Sequence, residues 1–192
     1  MFQYCPCCAS RSIQFIDNRK FSCPDCGYAY YHNTAAASGC IISNGTHIML
    51  LIRGKHPALG KLDLPGGFVN PGEGILEGLA RECREEIGWA PDLDAPQSGR
   101  AGKSRKSKKP AFIFFASFPN VYPYKGVTYN TCDIFFTLTV PGLTEKDLRL
   151  DLKENQGVRF VNPRDLDFDE LAFDSTRRVM GAYIAYLDSP QN

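Results

Sequence analysis

A chain of 192 residues is long enough for one full hydrophobic core plus a minidomain, and 43% apolar against 22% charged residues is a globular balance, which excludes a disordered chain. No apolar run approaches membrane-spanning length, and the first residues carry neither a basic start nor an apolar segment, so neither a spanning helix nor a secretory leader is expected. A net charge of +1 gives no global affinity for polyanions, so any attraction to nucleic acid has to be local.

The first element is a pair of cysteine knuckles: Cys5-Pro6-Cys7-Cys8 is followed, after fourteen residues, by Cys23-Pro24-Asp25-Cys26. Two C-x-x-C pairs at that separation supply four thiolates, Cys5, Cys8, Cys23 and Cys26, for tetrahedral zinc, and Gly27 allows the tight turn after the second pair. Ala9 stands where glycine is usual after the first pair. Residues 1–33 cannot bury a useful core alone, so the metal would have to hold them folded. Cys7 is a spare thiol and an alternative ligand within the first knuckle, and His32 is a spare candidate that reads as structural because four cysteines already close the shell. Disulfides are the competing reading for eight cysteines. Against it, Cys40, Cys83 and Cys132 sit in apolar runs and read as small buried hydrophobes in a reducing compartment, which implies a cytoplasmic location.

Tyr28 to Asn33 reads as the exit from this unit into a second domain spanning 34–192. Ala36 to Ser43 and His47 to Arg53 read as strands joined through Asn44-Gly45, a hairpin signal. Arg53, with Lys55 and His56 behind it, can neutralise phosphate oxygens or form a plain charged loop. Turn residues follow at Leu64-Pro65-Gly66-Gly67 and Asn70-Pro71-Gly72, and then a helical pattern runs from about Gly74 to Gly88. Ile75, Leu76, Leu79, Ala80, Cys83 and Ile87 fall on one arc of that helix, which is its core face. Glu82, Glu85 and Glu86 lie together within roughly 100° beside that arc. Like charges at helical spacing repel, so the cluster asks for a hard divalent cation that bridges carboxylates and substrate phosphates, such as Mg²⁺ or Mn²⁺. Arg81 can pair with Glu77 one turn earlier or with Glu73 ahead of the helix. The plain alternative is a solvated helix rich in Glu and Arg, against which stands the run of Leu-Pro-Gly-Gly.

Residues 91–109 form a polar insertion with six basic residues, which we expect to be flexible. Its Gly-Lys-Ser at 102–104 lacks the upstream glycine and the preceding strand of a phosphate-binding loop, and that reading is rejected. Ala111 to Phe118, Cys132 to Val140 and Val158 to Val161 read as strands, and Ser175 as the cap of a last helix to about Leu187 with Val179, Ala182, Tyr183 and Tyr186 on one face. Phe118 and Tyr122, in the run 118–124, offer flat faces on which a base can stack, with Tyr129 beyond, although such aromatics also pack sheets. Glu154, ahead of the last strand, is a candidate metal ligand from outside the helix. Strands interleaved with two helices give a mixed sheet between helices.

The segment from Gly67 to Trp89 resembles the Nudix box: Gly, five residues, Glu, seven residues, Arg-Glu, an apolar residue, any residue, Glu-Glu, any residue, Gly and an apolar residue. Gly67, Glu73, Arg81, Glu82, Glu85, Glu86 and Gly88 match it, with Cys83 and Trp89 at the two apolar positions. The resemblance implies an α/β (α+β) Nudix fold and cleavage of a nucleoside diphosphate linked to another group, such as a dinucleotide like NADH, a nucleotide sugar or an oxidised nucleotide. It implies Mg²⁺ or Mn²⁺ on Glu82, Glu85, Glu86 and the carbonyl of Gly66, with Glu73 and Arg81 bracing the loop against the helix. Which glutamate is the base is not transferable. A zinc ribbon fused to a Nudix domain is similar to the NADH pyrophosphatase group. This chain departs from that group's Ser-Gln-Pro-Trp-Pro-Phe-Pro signature, its nearest counterpart being Ser117-Phe118-Pro119-Asn120-Val121-Tyr122-Pro123. Position 157, often acidic in related chains, is glycine. The partner is accordingly a nucleotide-type small molecule and not a membrane. Nucleic acid is the weaker alternative, and a homodimer is left open. The non-enzymatic alternative is a ligand sensor, or a nucleic-acid or protein-binding module using the ribbon.

Overall fold

The computed structural model describes residues 2–91, 93 and 110–190. The expected insertion at 91–109 therefore lies almost wholly outside the described residues. In chain order the elements are β1 (Gln14–Ile16), β2 (Lys20–Ser22), β3 (Ala29–Tyr31), β4 (Ala35–Ser43), β5 (Ile48–Arg53), β6 (Leu62–Asp63), β7 (Gly66–Phe68), α1 (Ile75–Ile87), β8 (Ile113–Tyr124), β9 (Val127–Thr139), β10 (Asn155–Val161) and α2 (Asp174–Asp188), with three short 3-10 turns before β10 and α2.

The first three strands form a small antiparallel sheet of their own, ordered β1-β2-β3. Too few residues surround it for a large core: Phe21 is buried, stacked on Phe15 at 4.3 Å and edge-on to Phe2 at 4.8 Å. The four cysteines close the open end. Each knuckle turns the same way, with the N–H of Ala9 donating to the carbonyl of Cys5 and that of Gly27 to the carbonyl of Cys23, at 2.8 and 2.9 Å. Ala9 holds φ = 58°, matching 74° at Gly27, so the alanine takes the left-handed turn that glycine adopts more cheaply.

The second sheet has seven strands, with main order β10-β5-β4-β9-β8, β6 pairing β5 and β7 pairing β4. It is mixed, since β4 runs parallel to β9 and antiparallel to β5. β4 is buried from Ser38 to Ile42 without alternation because both of its faces are covered. Cys40, Ile42, Met49 and Leu51 pack with Leu79, Ala80, Cys83 and Ile87 of α1, and Ile41, Ile48, Leu50 and Phe135 pack with Val179, Met180 and Tyr183 of α2. The expected mixed sheet between two helices is therefore the fold observed.

β8 and β9 make a long hairpin over Lys125-Gly126, both at positive φ (46° and 78°), a two-residue turn matched to strand twist. The run 118–124 is part of β8 itself. It tolerates Pro119 and Pro123 because, among the described residues, β8 is an edge strand, whose outward N–H groups have no neighbouring strand to pair with. Two readings need correction. Ser175 does not cap α2, which starts after Phe173; its hydroxyl donates to Asp133 Oδ2 at 2.6 Å. Cys132 is exposed, not buried, because its register partners Ala36 and Pro119 are exposed too and, among the described residues, nothing covers that row of the sheet. Cys40 and Cys83 are fully buried as expected, and burial pushes both thiols up.

Candidate active site

β4 and β5 pair only at Ile42–Met49 and Ser43–Ile48. Beyond that point they part: the earlier residues of β4 pair with β7, and the later residues of β5 pair with β6 and β10. The fork opens a cleft of about 340 Å³ lined by both branches, by Glu82, Glu85 and Glu86 of α1, and by the β8–β9 hairpin.

Gly66 and Gly67 let α1 lie directly on the fork. Gly66 sits at φ = 145°, and a Cβ there would stand 2.1 Å from the carbonyl oxygen of Ser38; a Cβ on Gly67 would stand 2.7 Å from the carboxyl of Glu82. The pair therefore admits no side chain without moving either the strand or the glutamate. Helix α1 then begins at Gly74, whose N–H donates to Glu77 Oε2 at 2.6 Å, and ends at Gly88 with φ = 73°. Glu77 is thereby occupied, and Arg81 turns instead to Glu73, at 2.7 and 3.1 Å, and to the carbonyl of Phe68 at 3.0 Å. Glu73 also accepts from the N–H of Asn70 at 3.0 Å, so the loop is tied to the helix as the resemblance implies.

The three helix carboxylates are unequal. Arg81 Nη1 donates to Glu82 at 2.7 Å and to Glu85 at 3.0 Å, with the Glu85 side chain 57% exposed and that of Glu82 15%. Burial raises the Glu82 carboxyl above its ordinary range, with Arg81 opposing. Among the described residues Glu86 gets no such cation. Its one hydrogen bond there comes from the Gly66 N–H at 2.8 Å, and burial, aided by the negative charge of Glu82, Asp63 and Glu154, pushes it up to about 8. Glu154 stands across the cleft, paired with Lys55 at 2.5 Å.

The shift has a thermodynamic sign. A carboxyl near 4.5 unfolded and about 8 folded binds more protons in the native state across that interval, so metal-free stability falls as pH rises from about 4.5 to about 8. At about 1.4 kcal/mol per unit the contribution reaches at most about 5 kcal/mol. Glu86→Gln is expected to remove most of it; urea melts of the metal-free protein and the variant at pH 5.5 and 8 should show the gap between them widening at the higher pH.

Of the expected substrate residues, Arg53 and Tyr122 line the cleft and Phe118 does not. Phe118 packs near Phe135, with Arg178 over its ring at 4.6 Å. Arg53 is committed to Asp63 Oδ2 at 3.0 Å and to the carbonyl of Pro57 at 2.9 Å, and lies over the ring of Phe173 at 4.9 Å. Asp63, which the sequence reading passed over, is half-buried, and desolvation holds its carboxyl up against the opposing charge of Arg53, while Thr176 donates to its second oxygen at 3.0 Å. Phe68, Asn120, Thr131, Asp133 and Asn155 were also missed, since they join through strand register, for which no local motif exists, and Phe173 joins from the N-terminal end of α2.

The small sheet touches the cleft through aromatic rings. Centroids step from Phe15 to His32 (6.5 Å), Tyr129 (6.2 Å), Phe68 (6.1 Å), Tyr122 (5.4 Å) and Phe173 (5.5 Å). His32 also lies 3.3 Å from the Thr128 carbonyl, so it bonds to the hairpin and stands outside the cysteine cluster. Cys5, Cys8, Cys23 and Cys26 hold their sulfurs within 4.8 Å of one another, with Cys5–Cys26 at 3.6 Å and Cys8–Cys23 at 3.7 Å. Cys7 is exposed and outside this group.

A search of known proteins agrees with this geometry. The NAD-capped RNA hydrolase NudC of Chromobacterium violaceum is 35% identical over 86 residues, 45% of this chain and 32% of that protein. The ADP-ribose pyrophosphatase of Methanocaldococcus jannaschii is 41% identical over 66 residues, 34% of this chain and 39% of that one. The matches thus span about a third of the length of these curated relatives. Among solved structures, a NUDIX hydrolase from Nitrosomonas europaea aligns over 98% of this chain and 95% of its own with a TM-score of 0.62 at 19% identity, and the NUDIX domain of Shewanella oneidensis NrtR, complexed with ADP ribose, over 82% and 90% with 0.57 at 15%. Both show the fold. The family model for the NUDIX domain matches residues 33–181, which takes in the large sheet, all of the cleft lining named above and the first half of α2, and the chain belongs to the NUDIX family.

Proposed function

We propose that the protein is a divalent-metal-dependent pyrophosphohydrolase that cleaves a phosphoanhydride bond in a nucleoside diphosphate linked to another group, an NAD-type dinucleotide or ADP-ribose being the first candidates. The observation that carries this reading is that Glu82 and Glu86 stand half-buried side by side against two side-chain-free glycines, with Glu86 given no cationic partner among the described residues. Such a cluster costs stability and suits a dication. A sensor has no need to keep it.

Glu82, Glu85, Glu86 and the carbonyl of Gly66 would hold Mg²⁺ or Mn²⁺. Bound there, the ion supplies charge neutralisation at the phosphates and a water of lowered pKa. The chain supplies the rest. The Gly66 N–H fixes one oxygen of Glu86, and Arg81, itself clamped by Glu73, fixes Glu82 and Glu85. Lys55 and Arg53 line the phosphate approach, and Tyr122 presents a ring for stacking. Four sulfurs at 3.6–3.7 Å in closest pairs fit the edges of about 3.8 Å that Zn–S bonds of about 2.3 Å impose on a tetrahedron, so we assign a structural zinc to residues 1–33 and treat 34–192 as the catalytic domain. The substrates in the relatives' names, NAD-capped RNA and ADP-ribose, share an adenosine diphosphate linkage, and among the described residues no helix is long and apolar enough to cross a membrane. A cytoplasmic setting suits the reduced cysteines the zinc site requires.

The test is turnover of a panel of dinucleotides, ADP-ribose, nucleotide sugars and nucleoside triphosphates with Mg²⁺, Mn²⁺ or chelator. We expect two phosphomonoester products from a dinucleotide or ADP-ribose with metal and none with chelator. No turnover of any diphosphate with either metal would favour the sensor reading.

A further inference from the structure

The cleft has two chemically different halves, divided by the β4–β7 pair. Register sets Ser38 and Gly67 opposite each other on the side that carries the carboxylates of α1, and Ala37 and Phe68 opposite each other on the side that faces α2. The second half is floored by the β8–β9 hairpin, where Asn120 and Thr131 are direct cross-strand partners. Two residues from each along the same face stand Tyr122 and Asp133. All four line the cleft.

This floor is polar, and part of its hydrogen-bonding capacity is unused among the described residues. Thr131 is only 3% exposed, and its Oγ1 has no hydrogen-bond partner among the described residues. Asp133 accepts the Ser175 hydroxyl on Oδ2 at 2.6 Å, which anchors the carboxylate to α2, while Oδ1 takes no side-chain or backbone donor among the described residues. A buried hydroxyl without a partner is disfavoured unless a ligand completes it. The carboxylate repels phosphate, and an aliphatic group would leave the hydroxyl unpaired. What suits the floor is a flat polar ring that presents an N–H donor beside an acceptor nitrogen, stacked under Tyr122, whose ring lies 5.5 Å from Phe173.

We propose that Asn120, Thr131 and Asp133 form a base-reading subsite specific for an amino-bearing nucleobase of the adenine class, with the exocyclic amine donating to Asp133 Oδ1 and a ring nitrogen accepting from the Thr131 hydroxyl. The proposal rests on the hydrolase reading, whose first candidate substrates both carry adenine, and adds the side chains that read that base. Hypoxanthine, with a keto oxygen in place of the amine, sets an acceptor against the carboxylate and is rejected.

Matched adenosine- and inosine-containing diphosphoriboses measure this in turnover, and AMP against IMP by calorimetry measures it without turnover. We expect the wild-type protein to favour adenine at least tenfold in kcat/KM, mostly through KM, and by a similar factor in AMP binding. Asp133→Asn, which keeps a carbonyl for Ser175, and the near-isosteric Thr131→Val should each cut the adenine preference, in AMP binding and in kcat/KM, to within about threefold, with unfolding midpoints confirming the fold. Equal affinity of the wild-type protein for AMP and IMP would overturn the subsite, as would folded variants that keep the full preference. Absence of turnover with intact AMP selectivity would instead strike the hydrolase reading and leave the subsite standing.

Discussion

Glu86→Gln is expected to lower kcat/KM with a diphosphate substrate by roughly a hundredfold or more, the scale on which a main electrostatic contributor is lost. Glutamine keeps the shape of the side chain and can still accept from the Gly66 N–H, so the loss isolates the charge. That charge matters because Glu86 is a half-buried member of the cluster and the one to which Arg81 makes no bond. Glu85→Gln is expected to cost less, since its side chain is 57% exposed and already paired with Arg81. Steady-state kinetics at saturating Mg²⁺ and Mn²⁺ check the order. Equal, small losses at both positions would mean that neither carboxylate holds the metal.

Cys23→Ser is the second large effect. Cys23 is 1% exposed and one of four sulfurs drawn together at the end of a three-stranded sheet with few buried side chains. Since structural zinc supplies on the order of 10 kcal/mol or more to such units, the variant should lose its one zinc per chain and the hydrogen-exchange protection of residues 2–33. The large sheet should stay protected, because its two cores contain no residue from the ribbon. The substrate KM should nevertheless rise severalfold, since His32 touches Tyr129, and Tyr129 touches Phe68 on the cleft rim. Elemental analysis and exchange mass spectrometry provide the readout. Full zinc content, or unaltered protection of the ribbon, would refute the assignment of these cysteines.

How far the sequence reached depended on the range of the interaction. The helix bounds, the glycine pair and the Glu73–Arg81 brace were legible because each rests on residues within about twenty positions at fixed spacing, as were the cysteine knuckles. The Asn44-Gly45 hairpin was legible too, although Ser43 pairs with Ile48 and leaves a four-residue loop in which Asn44 Oδ1 accepts from Thr46 and His47. What escaped was set by long-range pairing. Pro119 and Pro123 argue locally against a strand, and only the edge position of β8 overrides them. Asp63 reads as one loop residue until Arg53 and Thr176 close on it from either side. Ser175 looks like a cap until Asp133, forty-two residues away, claims its hydroxyl.

The central claim is that the carboxylates of α1 and the fork beneath them bind a divalent ion together with a diphosphate. An anomalous difference map from crystals grown with Mn²⁺ and a non-hydrolysable analogue of ADP-ribose tests it directly. The account predicts manganese within about 2.2 Å of carboxylate oxygens of Glu82 and Glu86 and of the Gly66 carbonyl, with a phosphate oxygen of the analogue in the same shell. Manganese bound elsewhere, or an analogue seated away from these carboxylates, would contradict it.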